Sequence, residues 1–356
     1  MDYLEISGRR VGLGYEPFVI LEVGINHNGD IEIAKRMVDQ AHACGADAVK
    51  FQTFKAEEFI ADPNKTYTYK SQGHEVTESM LSMFKRFEFT PIQWKEITDY
   101  CNKIGILFFS TPQNPSDLDF LLEIVKLPVI KVGSDDLTNV DLLKYYASKK
   151  IPLIISAGMA YLGEIEDAVN IIRSTGNNNF GILHCVSSYP AKPEQLHLKK
   201  MATIAKAFEV PVGFSDHTEG IEASIAAIAL GACILEKHFT LDKNLPGPDH
   251  WFSSDPVEVE KWVRVIRSTF KSLGSGIVSP TDLELEMRSI ARRSIVAKSD
   301  LPAGTILCLE NMTFKRPGTG LPPKLRYLLE GRRIGKSIRC NDLITLDILE
   351  NDNEKG

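Results

Sequence analysis

Phe18-Val19-Ile20-Leu21-Glu22-Val23, running into Gly24-Ile25-Asn26, is apolar throughout except for one acid near its end. A strand without polar alternation is buried on both faces, as in a parallel sheet covered by helices. Seven more runs share this texture: Asp47–Phe51, Ile106–Phe109, Pro128–Val132, Pro152–Ile155, Phe180–Leu183, Val210–Gly213 and Ala232–Leu235. At or just past their ends stand Glu22 with Asn26, Lys50 with Gln52, Ser110 with Thr111, and Lys131 with Ser134. The later runs end in Ser156, Cys185 with Ser187, Ser215 with His217, and Glu236 with His238. Eight β/α units with chemistry at their C-terminal strand ends predict a (β/α)8 TIM barrel whose site is its C-terminal mouth. An open doubly wound sheet is the alternative architecture.

The intervening segments carry helical periodicity. Asp30 caps a helix with Ile31, Ala34, Met37, Val38 and Ala41 on one face, and Gly45 stops it. Gly163–Arg173, Glu219–Leu230 (entered from Thr218) and Pro256–Leu273 (closed at Gly274) read the same way. The barrel is expected over residues 1–275.

Two segments exceed a minimal barrel. Lys55–Glu88, rich in Lys, Glu, Thr and Tyr, is a long insertion after the second strand, placed to shape substrate entry. After Gly274 the chain turns to Gly, Ser and Pro, then to a charged helix-like stretch, Asp282–Arg293, a linker over 276–293. Short β runs at Ser294–Ala297 and Thr305–Leu307, with a last segment Leu343–Leu349, predict a small second domain over 294–356.

Composition excludes several classes. With 356 residues, 43% hydrophobic and 25% charged, the chain has ample material for a core. A net charge of −6 speaks against a nucleic-acid partner. No apolar run approaches the roughly 20 residues that span a bilayer, so no membrane association is expected. Met1–Gly8 lacks the features of a signal peptide. Six cysteines without paired spacing fit reduced thiols and a cytoplasmic location.

The chemistry falls into two constellations. His217 and His238 lie beyond neighbouring strands, within reach of one divalent ion, with Asp216 or Glu236 available to orient them. Each could instead be a hydrogen-bonded structural residue, the reading that suits His27 and His184. Lys131, Ser134, Ser156 and Ser215, with Lys50 across the barrel, form a set of donors for phosphate or carboxylate. The alternative is a Lys–carboxylate pair closing the barrel top. Glu22 is either a general acid/base or the partner of Lys50.

Several motifs resemble the bacterial sialic acid synthases. They are Gly24-Ile25-Asn26-His27-Asn28-Gly29, Lys131-Val132-Gly133-Ser134, Ser156-Ala157-Gly158-Met159 and Ser215-Asp216-His217-Thr218. Glu236-Lys237-His238-Phe239-Thr240 and Pro246-Gly247-Pro248-Asp249 continue the likeness, and Lys315-Arg316-Pro317-Gly318 extends it into an antifreeze-like (SAF) domain. The resemblance implies condensation of phosphoenolpyruvate with an N-acetylated hexose, such as N-acetylmannosamine, to N-acetylneuraminate and phosphate. It implies Mn²⁺, with Mg²⁺ or Co²⁺ as alternatives, held by His217 and His238. It assigns Glu22, Lys50 and the two histidines to catalysis. Lys50, Thr111, Lys131, Ser134, Ser156 and Ser215 would take phosphoenolpyruvate. Gln52, Ser187, Tyr189 and Asp249 would take the sugar, with Arg316 reaching over from a second chain in a domain-swapped homodimer.

Ser187, His250 and the run Lys237–Lys243 depart from the N-acetylneuraminate-forming members toward legionaminate and spore-coat branches. The alternative product is therefore N,N'-diacetyllegionaminate, from 2,4-diacetamido-2,4,6-trideoxymannose. A Schiff-base aldolase using Lys131 or Lys50, and a non-catalytic sugar-binding protein, are the readings from other classes.

Overall fold

The computed structural model describes residues 3–350; residues 1–2 and 351–356, which the sequence reading assigned to the two domains, lie outside the described residues. The chain divides into two compact units, Met1–Gly274 and Ser275–Gly356.

The first unit is the barrel. Its strands are β1 (Phe18–Gly24), β2 (Ala48–Thr53), β3 (Leu107–Pro112), β4 (Ile130–Val132), β5 (Leu153–Ser156), β6 (Phe180–Cys185), β7 (Val212–Asp216) and β8 (Ile234–His238). They pair in parallel in the order β3-β2-β1-β8-β7-β6-β5-β4. β3 and β4 pack side by side at the remaining seam, where no ladder pairing is formed among the described residues. The helices are α1 (Ile31–Ala43), α2 (Pro91–Ile104), α3 (Pro115–Ile124), α4 (Val140–Ser148), α5 (Leu162–Ser174), α6 (Lys200–Phe208), α7 (Glu222–Ala229) and α8 (Pro256–Leu273). Their apolar faces cover the strands, which is why the strands read as unbroken hydrophobic runs.

Several strands extend further toward the mouth than the apolar runs alone indicate. Gln52, Thr111, Ser156, Cys185, Ser215, Glu236 and His238 are strand residues rather than loop residues. Inter-strand ladders satisfy the backbone there, so polar side chains continue the strand at the price of burial. Asp30 caps α1, accepting from the Glu32 and Ile33 amides. α7, by contrast, starts at Glu222 rather than near Thr218, because the Asp216 carboxylate binds both the amide and hydroxyl of Thr218 in a local turn.

Two hairpins were not legible as such. Tyr3–Ile6 and Arg9–Gly12 pair antiparallel and bury Leu4, Ile6 and Val11 in the barrel core. Glu5 and Asn179, at the start of β6, exchange two hydrogen bonds through the Asn179 amide and the Glu5 backbone. The Lys55–Glu88 insertion is folded: a hairpin, Thr66–Ser71 with His74–Ser79, precedes a helix over Met80–Phe87. Its two-residue turn, Gln72-Gly73, has positive φ at both positions, the turn whose twist matches that of a hairpin. Met83 and Phe87 pack with Ile25 and Phe54 beneath it.

The second unit carries a helix over Asp282–Ala291, capped by Thr281, and a small core around Ile295, Leu307, Ile334 and Ile344. Ser294–Ala297 is a strand; its partner is Met312–Lys315, whereas Thr305–Leu307 and Leu343–Leu349 make only isolated bridges. All six cysteines are free. Among the described residues no helix is long and apolar enough to cross a membrane.

Candidate active site

The C-terminal mouth of the barrel holds a cavity of about 320 Å³, at the lower end of the range for small-molecule sites. Glu22, Lys50, Gln52, Thr111, Lys131, Ser134, Ser156, Ser187, Tyr189, Ser215, His217 and His238 all line it. So do Glu236, Cys185, Gln113, Asp135 and Met159. Asp249 lies outside this lining, half-buried on the loop after β8, and Arg316 is exposed in the second unit.

Parallel register stacks the charges into one layer. Glu22 stands opposite Lys50 on one side and His238 on the other, and Ser215 opposite Glu236. The Lys50 ammonium lies 2.9 Å from Glu22 Oε2 and 3.6 Å from Glu236 Oε2, and donates to Thr111 Oγ1 at 3.2 Å. Gln52 donates to Glu22 Oε1 at 3.0 Å, and the Ser215 hydroxyl to Glu236 Oε1 at 2.9 Å. A register shift between Glu22 and Gly24 re-aims this end of β1. Gly24, at φ +53°, leaves room for the Gln52–Glu22 contact, because a Cβ there would lie 3.2 Å from Glu22 Oε1.

The two carboxylates are driven in opposite directions. Burial raises the Glu22 pKa, and the Glu236 charge adds to that effect against the pull of Lys50. Burial acts on Glu236 as well, but Lys50, Lys131 and the Ser215 hydroxyl outweigh it and hold the carboxyl down at about 2. For Lys50 burial opposes the charge, yet Glu22 and Glu236 together raise its pKa.

Lys131 is placed differently. It is 3% exposed, and its ammonium donates to Ser156 Oγ at 2.6 Å and to the Val132 carbonyl at 3.0 Å. No carboxylate lies within ion-pair distance among the described residues, and burial lowers its pKa. Beside it Ser134 Oγ lies 3.1 Å from Cys185 Sγ and accepts from the Gly158 amide at 3.0 Å. A Cβ on Gly158 would fall 2.6 Å from Ser187 Oγ and 2.7 Å from Ser134 Oγ, so only glycine lets these groups converge.

The imidazoles of His217 and His238 have ring centroids 5.6 Å apart. Burial holds both neutral by lowering their pKa, and His217 and Lys50 add to the effect on His238. His217 Nδ1 donates to the Val186 carbonyl at 2.8 Å, which leaves the Nε2 lone pair toward the cavity. Because the Ser215 hydroxyl donates to Glu236, it does not take that lone pair. His238 Nδ1 is buried without a hydrogen-bond partner. Two neutral imidazoles with uncommitted nitrogens are a donor set suited to a divalent ion. Among the described residues no cluster of three or more His, Cys, Asp or Glu side chains is arranged to hold a metal. His27 and His184 lie away from the cavity: His27 packs on Phe89, and His184 Nε2 meets the Leu196 carbonyl.

The open side of the cavity is aromatic and braced. Tyr189 packs on His217 and Phe252. The Asn26 amide, buried beyond β1, donates to the Phe239 carbonyl at 2.8 Å and to Ser253 Oγ at 2.9 Å. Ser253 in turn donates to the Asp249 carbonyl at 2.6 Å. His250 bridges Thr240 at 2.7 Å and Asn28 at 3.1 Å. From the other side the Thr66–Ser79 hairpin grips the same loop: Ser71 Oγ accepts from the Gly247 amide, Gln72 donates to the Asn244 carbonyl, and the Lys70 ammonium lies 4.8 Å from the Trp251 ring centre. Burial and the Glu22 charge push the Asp249 carboxyl up to about 7.

Glu236, Cys185, Gly133, Gln113, Asp135 and Met159 line the pocket without having been assigned a role in the reaction. Glu236 carried a signal, since strand residues two apart share a face and His238 faces inward. Gly133, Gln113, Asp135 and Met159 follow the strand ends in loops, where no periodicity marks orientation.

Comparison with known proteins gives a family match. The NeuB family model matches residues 37–278, and the SAF domain model residues 292–350. The chain is 39% identical to the N,N'-diacetyllegionaminic acid synthase of Legionella pneumophila, over 94% of each chain. It is 36% identical to the N-acetylneuraminate-9-phosphate synthase of Mus musculus, over 98% of this chain and 97% of that one. The crystal structure of an N-acetylneuraminic acid synthetase from Leptospira borgpetersenii aligns with a TM-score of 0.72 at 33% identity, over 81% of this chain and 96% of that one.

The His250 brace has a pH consequence. Burial lowers its pKa to about 4, so between the ordinary value of 6.5 and that value the unfolded chain binds the proton more tightly. Its contribution is complete above pH 6.5 and is lost as pH falls toward 4. Relative to His250→Asn, the native chain should lose about 2 kcal/mol of stability between pH 7 and pH 5. Urea unfolding of both proteins at the two pH values checks this; identical pH dependence refutes it.

Proposed function

The chain belongs to the NeuB family and carries a SAF domain, and on that premise we propose how its residues carry out the condensation of phosphoenolpyruvate with a sugar. The acceptor is an N-acetylated hexose in open-chain form, and the products are a nonulosonic acid and inorganic phosphate. The observation that carries the phosphoenolpyruvate half is Lys131, a buried ammonium bonded to a hydroxyl and a carbonyl and lacking a carboxylate partner. A buried charge without a counterion is costly, and a bound anion relieves it. Ser134, Ser156 and Ser215 supply short donors around the same place, and Lys50 with Thr111 the opposite wall.

C3 of phosphoenolpyruvate attacks the aldehyde carbon, whose C=O π electrons move to the oxygen; positive charge develops at C2, water adds there, the proton it loses is passed to the new alkoxide, and phosphate leaves by cleavage of its C–O bond. Glu236, fixed as a carboxylate, steadies the cationic carbon, and Glu22, ionised beside Lys50 and made more basic by burial, takes the proton of the attacking water. Lys131 stays with the departing phosphate and balances its charge. Gln52 and Lys50 hold Glu22 in place for this exchange. His217 and His238 would hold a divalent ion, which we propose to be Mn²⁺ and which would supply Lewis-acid polarisation of the aldehyde. Tyr189, Ser187 and Asp249 address the sugar.

The acceptor is either N-acetylmannosamine or 2,4-diacetamido-2,4,6-trideoxymannose; a relative named for N,N'-diacetyllegionaminic acid matches over 94% of this chain, and a solved structure named for N-acetylneuraminic acid over 81% of it. We further propose a cytoplasmic homodimer built from a barrel (1–275), a linker (276–293) and a SAF domain (294–356). In it the exposed Arg316 acts on the second chain's sugar site, where its planar donors suit amide and hydroxyl groups.

Phosphate release should require both phosphoenolpyruvate and one of the two acceptors in the presence of Mn²⁺; absence of release with either acceptor overturns the reading. Lys131→Ala should weaken phosphoenolpyruvate binding by about 10- to 100-fold in titration calorimetry, the equivalent of a lost bond to a charged group. Unchanged affinity would return Lys131 to a structural role. For the dimer, inactive Arg316→Ala chains mixed with inactive His217→Ala chains should regain activity, since a barrel with His217 intact then receives an intact Arg316. No recovery despite verified chain exchange refutes action in trans.

A further inference from the structure

The strongest buried ion pair outside the cavity lies directly behind the two imidazoles. Asp216 and Lys237 are ladder partners on β7 and β8. Alternation turns Ser215 and Glu236 inward, so Asp216 and Lys237 point the other way, toward the helices. Their side chains are 0% and 4% exposed, with Lys237 Nζ 3.2 Å from Asp216 Oδ2. The Asp216 carboxylate also accepts from the Thr218 amide at 2.9 Å, the Thr218 hydroxyl at 2.6 Å and the Ser224 hydroxyl on α7 at 2.6 Å. Ser224 Oγ accepts in turn from Trp262 Nε1 on α8 at 2.8 Å. Lys237 Nζ donates once more, to the Thr218 carbonyl at 2.6 Å.

The connectivity matters more than the number of bonds. Lys237 Nζ grips the residue before His217 and the residue after it, and Lys237 is itself the residue before His238. One side chain thus ties the backbone around the first imidazole to the backbone that carries the second. The pair makes no hydrogen bond to either ring; its action runs through the chain. Buried ion pairs seldom stabilise a fold more than an apolar pair of similar volume, whereas a fully satisfied polar network holds one geometry.

We propose that Asp216 and Lys237 are positioning residues that set the relation of the His217 and His238 imidazoles and thereby the affinity for the divalent ion. The proposal rests on the reading of those histidines as the ion's protein ligands. It is tested on the full chain by Mn²⁺ binding isotherms from electron paramagnetic resonance, and by the visible spectrum of the Co²⁺ form. The test variant is Asp216→Asn with Lys237→Met, which removes both charges and leaves neither buried alone. It should fold, bind Mn²⁺ at least about 10-fold more weakly, as loss of support around metal ligands commonly does, and shift the Co²⁺ bands. Phosphoenolpyruvate affinity measured without metal should stay within about twofold, because Lys131 and its serines belong to other strands or to the inward face. Lys237→Arg should restore most of the Mn²⁺ affinity. A folded double variant with native Mn²⁺ affinity and Co²⁺ spectrum overturns the proposal, as does a parallel loss of phosphoenolpyruvate binding. If the double variant does not fold, Ser224→Ala keeps both charges and removes one bond to Asp216; a native Co²⁺ spectrum there overturns it equally. Mn²⁺ binding unaltered in His217→Ala refutes the metal reading itself, and with it this proposal.

Discussion

One buried ammonium, that of Lys50, organises the mouth of the barrel. It neutralises Glu22 directly and Glu236 more distantly, and without it two carboxylates on adjacent strands would face each other in a nearly dry cavity. Like charges so placed cannot both ionise, and each is costly to bury alone. The other arrangements follow from this balance. Gln52 donates to one oxygen of Glu22, Ser215 to one oxygen of Glu236, and Thr111 accepts from Lys50, while Lys131 bonds to Ser156 and the Val132 carbonyl with no carboxylate at ion-pair distance among the described residues. With two ammoniums, Lys50 and Lys131, against three carboxylates, Glu22, Glu236 and Asp135, the cavity lining has no surplus positive charge of its own.

The barrel was legible because a strand buried on both faces leaves an unbroken apolar run, and because the exceptions fall at one end. Glu22, Lys50, Lys131, Ser156, Ser215 and His238 were visible as polar residues where an apolar run stops, and all of them line the cavity. Glu236 deserved a fuller role on the same grounds, since it shares the face of His238. Asp249 was reached only through the family resemblance. Its position depends on Asn26, His250 and a hairpin more than 170 residues away in sequence, contacts that no local pattern encodes. Tyr3–Gly12 and the C-terminal unit were hard for the opposite reason. Tyr3–Ile6, Arg9–Gly12 and Met312–Lys315 are short and partly exposed, so composition drowns the alternation, whereas Ser294–Ala297, buried throughout, reads as a strand.

The strand ends and the loop after β8 are held in different ways. Lys50, Lys131, Ser156 and Ser215 sit on strands, whose ladder fixes them to a common frame, whereas Asp249, Trp251 and Phe252 ride on a loop braced from two directions. A family can keep the first half constant and vary the second by exchanging the braces. The relatives' names, which differ in the sugar, accord with such a division.

The N-terminal hairpin closing the bottom of the barrel bears on how the chain is made. Glu5 meets Asn179 across a sequence separation of 174 residues, and Leu4 packs close to Gly181 of β6. The hairpin, which precedes β6 in the chain, therefore waits for one of the later strands before it finds its native neighbours. Such contacts raise the mean sequence span of the fold and slow its closure. During synthesis the apolar residues Leu4, Ile6 and Val11 lack these native neighbours until β6 has emerged, and exposed apolar surface of this kind is prone to aggregate.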